Sequence, residues 1–237
     1  MADSKGTLYL IPCPIGDGEI NASLPVKTIE LLNKVNIFAV EKIRTARRFL
    51  LKTNKNIIID NLVFHELSEH TKPVEVEILI QSLLEGEDVG ILSEAGFPAV
   101  ADPGTNLVRI AHENKIKVMP FSGPSSLIMA LSASGLNGQQ FTFHGYLPKN
   151  REERIKKIKE LDNNVLKSGY TQTFIETPYH NDSLLKDLIT ICKNDTLLCV
   201  ACAITTPQES INTMSISDWK SDKKSFNDLP AVFLMGR

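Results

Sequence analysis

The chain has 237 residues, enough for one large domain or two of ordinary size. Its 42% hydrophobic and 23% charged residues are those of a globular protein, which excludes a disordered chain, and no apolar run approaches the length of a membrane helix. With a formal net charge of −2, any nucleic-acid contact has to come from a local basic patch and not from an overall field.

The N-terminal half alternates strand-like and helix-like segments. Residues 7–12 form a short apolar run ending in Pro12, a buried strand too short for a signal-peptide core, so the chain reads as cytoplasmic. Residues 25–35 carry Val26, Ile29, Leu32 and Val35 at helical spacing, with Pro25 suited to a first turn. A strand over 36–40, a basic helix over 45–52 and extended segments over 56–59 and 62–64 follow. Residues 73–84 place Val76, Ile80 and Leu83 on one helical face before Gly86. Then come a strand over 88–92, a helix over 106–113 and a strand over 116–121. This alternation predicts a mostly parallel sheet with helices on both faces.

A second unit follows the helix predicted over 125–134. It contains strands over 141–146, 171–176 and 196–203, helices over 151–161 and 182–192, and closing strands over 209–214 and 231–235. We therefore expect an α/β chain of two domains, residues 1–122 and 123–237, the first mostly parallel and the second a mixed sheet. Of the four cysteines, Cys199 and Cys202 form a C-x-x-C, a spacing used for metal or redox pairs. The surrounding run is apolar, and no second pair or histidine set completes a metal site, so buried strand residues are the simpler expectation.

Three loops at predicted strand ends are candidates for ligand binding. Residues 12–18, Pro-Cys-Pro-Ile-Gly-Asp-Gly, combine rigid prolines with glycines that admit close approach, and they lack the dinucleotide-binding G-x-G-x-x-G pattern. Residues 93–104 make an unusually long strand-to-helix loop of small residues; its Asp102 serves either a ligand or as a cap for the next helix. Residues 121–126 end in Pro124, Ser125 and Ser126 at a helix start, a polar end suited to a ligand carboxylate or ribose.

These residues resemble the tetrapyrrole methylase superfamily, and within it the ribosomal small-subunit RNA cytidine-2′-O-methyltransferase group. The motifs are residues 6–16, 93–104 and 123–136, with Phe143-His-Gly-Tyr-Leu-Pro148 and Glu176-Thr-Pro-Tyr-His180, in the family's order. The resemblance implies two α/β domains, a homodimer and S-adenosylmethionine (SAM) held in the cleft between the domains. It implies cofactor contacts at Ile15, Gly96, Phe97, Val100, Ser125 and Ser126, then at Glu176, Thr177, Ala203 and Pro230. The substrate it implies is a ribose of ribosomal RNA, with no metal and no membrane.

The chain departs from that group where substrate would meet it. A Glu-Asp-Thr-Arg run is here Glu41-Lys42-Ile43-Arg44, and an Arg-Glu-Leu-Thr-Lys run is Cys202-Ala203-Ile204-Thr205-Thr206. Tyr179-His180 replaces the group's usual His-Arg, and the chain ends at Arg237 without the group's extra C-terminal segment. Glu41, beside Arg44, is the candidate base for a ribose hydroxyl; the alternative is a surface ion pair. Basic residues for RNA are Arg44, Arg47 and Arg48 on one helix, and Lys149, Arg151, Arg154, Lys156, Lys157 and Lys159 on another. Two other readings stay open: a tetrapyrrole or other small-molecule acceptor, and a SAM- or RNA-binding protein without catalysis.

Overall fold

A computed structural model describes residues 5–16, 23–68 and 71–237; Asp17 and Gly18 of the first candidate loop lie outside them. The chain divides into two compact units, Met1–Ser125 and Ser126–Arg237. The loop before Ser126 belongs with the first unit because Thr28 Oγ1 donates to the Ser122 carbonyl at 3.0 Å.

The first unit holds β1 (Thr7–Ile11), α1 (Val26–Leu32), β2 (Ile37–Val40), α2 (Ile43–Thr53), β3 (Val63–Glu66), α3 (Pro73–Leu84), β4 (Val89–Leu92), α4 (Thr105–Glu113) and β5 (Lys117–Pro120). Its sheet runs β3-β2-β4-β1-β5, with every pairing parallel. β2 and β4 are buried along their whole length, which is why they read as unbroken apolar runs rather than alternating ones. Helices cover both faces. Leu31, Leu32, Ala46 and Leu50 of α1 and α2 pack with Phe38 and Val40 on one side. Val76, Leu79, Leu83 and Leu107 of α3 and α4 pack with Ile37, Ala39 and Ile91 on the other. Residues 56–59, expected to be extended, instead lead into a single 3-10 turn at Ile59–Asn61.

The second unit holds α5 (Ser126–Ser134), β6 (Phe141–Tyr146), α6 (Arg151–Ser168), β7 (Thr171–Glu176), α7 (Asn181–Ile191), β8 (Leu197–Cys202), β9 (Ser210–Ser215), a short α8 (Ile216–Trp219) and β10 (Ala231–Gly236). The sheet order is β6-β7-β10-β8-β9; β6 and β7 are parallel and the other pairings antiparallel, so the sheet is mixed as expected. The helix α6 starts on Asn150, whose Oδ1 accepts from the Glu152 and Glu153 amides, and Glu152 and Glu153 complement the positive helix end. It runs seven residues beyond the predicted Leu161 and stops at Gly169 in the left-handed conformation.

β8 disposes of the C-x-x-C. Residues three apart in a strand point to opposite faces. Cys199 packs with Leu131 and Val232, Cys202 with Phe174 and Trp219, in two different cores. Both thiols are buried, and burial raises their pKa. The pair cannot chelate one ion.

Candidate active site

The strand order creates the crevice. The chain leaves β2 toward β3 and leaves β4 toward β5, in opposite directions, so the loops after these neighbouring strands part at the carboxyl end of the sheet. Glu41 and Lys42 form one lip, residues 93–104 the other. Beside β4 lie β1 and then β5, so the loops after them extend the same rim.

These loops are joined. Cys13 and Gly96 exchange two backbone hydrogen bonds, 2.9 and 3.0 Å, as an isolated antiparallel bridge. Ser93 Oγ donates to the Gly96 carbonyl at 2.6 Å, fixing the start of the long loop. Gly96 has φ +75°, and a Cβ built there would stand 3.6 Å from the Pro124 carbonyl oxygen of the third loop. Gly123 touches the first loop: its Cβ would lie 2.2 Å from Pro12 Cγ. The first unit's predicted cofactor residues, Ile15, Gly96, Phe97, Val100 and Ser125, all sit on these three loops.

The long loop stores backbone strain. Ala99 and Ala101 have φ of 63° and 56°, a region that costs a residue with a Cβ about 1–2 kcal/mol. Such strain persists where a fixed main-chain shape is needed, as in ligand clamps. Val100, between them, is 49% exposed.

In the second unit the remaining residues also meet. β10 runs antiparallel to both β7 and β8, which brings Ala231 beside Glu176 and beside Cys202. The Ala203 amide donates to the Pro230 carbonyl at 2.8 Å. Ala203 and Thr205 are again left-handed, φ 50° and 67°. Glu176 Oε1 accepts from the Thr177 amide at 2.6 Å. Glu176, Thr177, Ala203 and Pro230 thus share one end of one sheet, while Ser126 opens α5. The segment expected to carry charges in the RNA-methylating group turns inward here, with Ile204 buried.

Glu41 stands where expected, at the end of β2, but its cation differs. Lys42 Nζ lies 3.9 Å from Glu41 and 3.7 Å from Glu94. Arg44, in the first turn of α2, is exposed and makes no ion pair among the described residues. Residue types alone do not show that Asp102 joins this group. It does not cap α4; the cap position is Gly104, without a side-chain bond. Burial, then the charges of Glu41 and Glu94, push the Asp102 pKa up to about 6. Three carboxylates with one lysine now rim the crevice, and a carboxylate pKa raised by burial and like charge is a feature of proton-transfer sites.

The raised Asp102 pKa sets a pH dependence. The folded protein holds this proton more tightly than the unfolded chain, whose aspartate titrates near 3.8. Its contribution to stability is greatest below about pH 4, declines as pH rises to about 6 and is constant above. Half-exposure reduces the effect to about 1 kcal/mol. In urea unfolding, Asp102→Asn should therefore gain about 1 kcal/mol over the wild type between pH 4 and pH 7. A constant difference across that range would mean that Asp102 is not perturbed.

The two basic segments part company. Arg154 is buried, and its Nε and Nη2 bond Asp187 Oδ2 at 3.0 and 2.7 Å; Arg151 bonds Asp187 Oδ1 at 3.1 and 3.0 Å. Lys157 pairs with Glu160 at 2.8 Å. Half of the expected patch on α6 is therefore engaged in structure. On α2, Arg47 stacks over Phe64 at 5.4 Å, while Arg44, Arg48 and Lys52 stay unpaired among the described residues.

Bends of small residues at the carboxyl end of a doubly wound parallel sheet, with titratable groups on the rim, are the place where α/β enzymes bind their ligands. Residues 7–219 match the model of the tetrapyrrole (corrin/porphyrin) methylases. A protein of Vibrio cholerae named ribosomal RNA small subunit methyltransferase I is 31% identical over 212 residues, 89% of this chain and 69% of that one. Proteins of the same name are 34% identical in Halalkalibacterium halodurans (81% and 62% of the two chains) and 31% identical in Buchnera aphidicola (88% and 69%). The fold is shared with the methyltransferase CobJ, TM-score 0.63 at 16% identity over 99% of this chain and 94% of that one. It is shared also with cobalt precorrin-4 methyltransferase CbiF, TM-score 0.61 at 17% identity over 97% and 94%. The chain belongs to the tetrapyrrole methylase family and is a SAM-dependent methyltransferase. No helix among the described residues is long and apolar enough to cross a membrane.

Proposed function

We propose that this enzyme transfers methyl from SAM to a ribose 2′-hydroxyl of small-subunit ribosomal RNA, working as a cytoplasmic homodimer. The observation that carries the cofactor part is the Cys13–Gly96 bridge with Gly123 packed on Pro12, which gathers three loops on one rim. The residues present fit a nucleoside sulfonium: small residues in left-handed backbone, Gly96, Ala99, Ala101 and Ala203, let a ligand approach the main chain closely. In this reading the residues that contact SAM are Ile15, Gly96, Phe97, Val100, Ser125, Ser126, Glu176, Thr177, Ala203 and Pro230. The RNA part rests on the relatives' shared name and on the unpaired cations of α2.

SAM supplies an activated methyl on a sulfonium, so the cofactor carries the hard chemistry. The protein orients the acceptor, excludes water and takes up a proton. A ribose hydroxyl is a weak nucleophile at neutral pH, and Glu41 is the residue we assign to accept its proton, its ionised carboxylate lying 3.9 Å from Lys42 before the transfer. Glu41→Gln keeps the shape and removes the acceptor. It should lower kcat by about 10²–10⁴ while the Kd for SAM stays within about twofold.

The test is transfer of labelled methyl from SAM to a small-subunit ribosomal RNA transcript, with ribose methylation mapped at nucleotide resolution. Label on a 2′-oxygen is the expected result. Label on a corrinoid or porphyrin but not on RNA would replace the substrate. Tight SAM binding with no transfer to either acceptor would make the protein a binding homologue.

A further inference from the structure

We propose that a groove beside the crevice, walled by α2, holds a backbone phosphate of the RNA substrate; this rests on the RNA reading above. The groove has a volume of about 160 Å³. Arg48, Lys52 and Thr45 line its helix wall, and Cys13, Gly16 and Glu94 the opposite one. Cys13 and Glu94 belong to the two loops joined at Gly96, so the groove opens beside the proposed methyl-transfer site.

Charge decides what fits. Helix α2 has no acidic residue, and Arg44, Arg48 and Lys52 recur every four residues along it, about 6 Å apart in rise. Like charges at this spacing repel, a cost that an anion removes. Arg47 points elsewhere, onto Phe64. Among the described residues the one acid lining the groove is Glu94, which lies 3.7 Å from Lys42. What remains is an arginine fork, an ammonium and a hydroxyl around a space large enough for a phosphate, the donor set suited to a phosphodiester. The basic stretch of α6 lacks this arrangement, because Arg151 and Arg154 are committed to Asp187.

The test uses the full-length protein and a small-subunit ribosomal RNA transcript. Arg48→Gln/Lys52→Gln is compared with Lys34→Gln/Lys117→Gln, which removes the same charge from exposed positions of the same unit. Loss of the one phosphate contact should reduce the slope of log K against log salt by about 0.7 for single-stranded RNA, and the control should keep the wild-type slope. The KM for RNA should rise at least tenfold in the groove variant, with SAM affinity unchanged by calorimetry. Equal slopes for the groove and control variants would overturn the groove. A wild type that binds RNA without salt dependence would also overturn it. A wild type that binds no RNA would instead remove the substrate reading, and the groove with it.

Discussion

Asp187→Ala should destabilise the protein by about 3–5 kcal/mol, a large effect for one substitution. Asp187 is 3% exposed and Arg154 10%, and the pair is joined by two hydrogen bonds of 3.0 and 2.7 Å. Removing the carboxylate leaves a buried guanidinium whose one other hydrogen-bond partner among the described residues is the Lys149 carbonyl, 3.3 Å away. Arg151 loses less, because its side chain is 66% exposed and returns to water. The double change Arg154→Met/Asp187→Leu should recover most of the loss, since a buried ion pair is worth little more than well-packed apolar residues of similar size. Urea unfolding of the single and double variants measures both. A single variant that costs under about 1 kcal/mol would show that Arg154 is not held in the interior, and would return it to the list of RNA-binding candidates.

That example marks where sequence reading stops. Residues 149–159 and 43–53 look alike as basic helical stretches. Only partners 33 residues or more along the chain show that one is a structural anchor and the other a free surface. The end of α6 shows the same limit. Asp162, Asn163 and Asn164 are poor helix formers, so the pattern fades after Leu161. The helix continues because the Asp162 carboxylate is used elsewhere: it accepts from Thr196 Oγ1 at 2.6 Å and the Lys193 amide at 3.3 Å. Gly169, a legible stop signal, gives the true end.

The loops were more legible than the charges on them. Proline and glycine impose their geometry locally, so the bends at residues 12–16, 93–104 and 121–125 could be placed from composition. Asp102 could not, because its raised pKa depends on burial and on β2 lying next to β4, which puts Glu41 beside it. Strand order is a property of the whole sheet, and no local pattern encodes it.

The second large effect tests the convergence of those loops. Gly123→Ala adds one methyl where the nearest atoms are Pro12 Cγ at 2.2 Å and Pro12 Cβ at 2.6 Å. A proline ring cannot swing aside as a flexible chain end does, so the first and third loops must separate. Overpacking of this kind costs about 1–3 kcal/mol, and the displaced main chain should weaken SAM binding at least tenfold. Gly138→Ala is the comparison: nothing lies within 4 Å of its Cβ and its φ is ordinary, so stability should change by less than about 0.5 kcal/mol and SAM affinity not at all. Phe97→Asp guards against a Gly123 variant that fails to fold. Phe97 is only partly buried, so its charge should leave the thermal unfolding midpoint near that of the wild type while disrupting the cofactor loop. Titration calorimetry with SAM and thermal unfolding on all three variants give the answer. If Gly123→Ala loses stability but Gly123→Ala and Phe97→Asp both bind SAM as the wild type does, these bends shape the fold only, and the sulfonium compound is held by other residues.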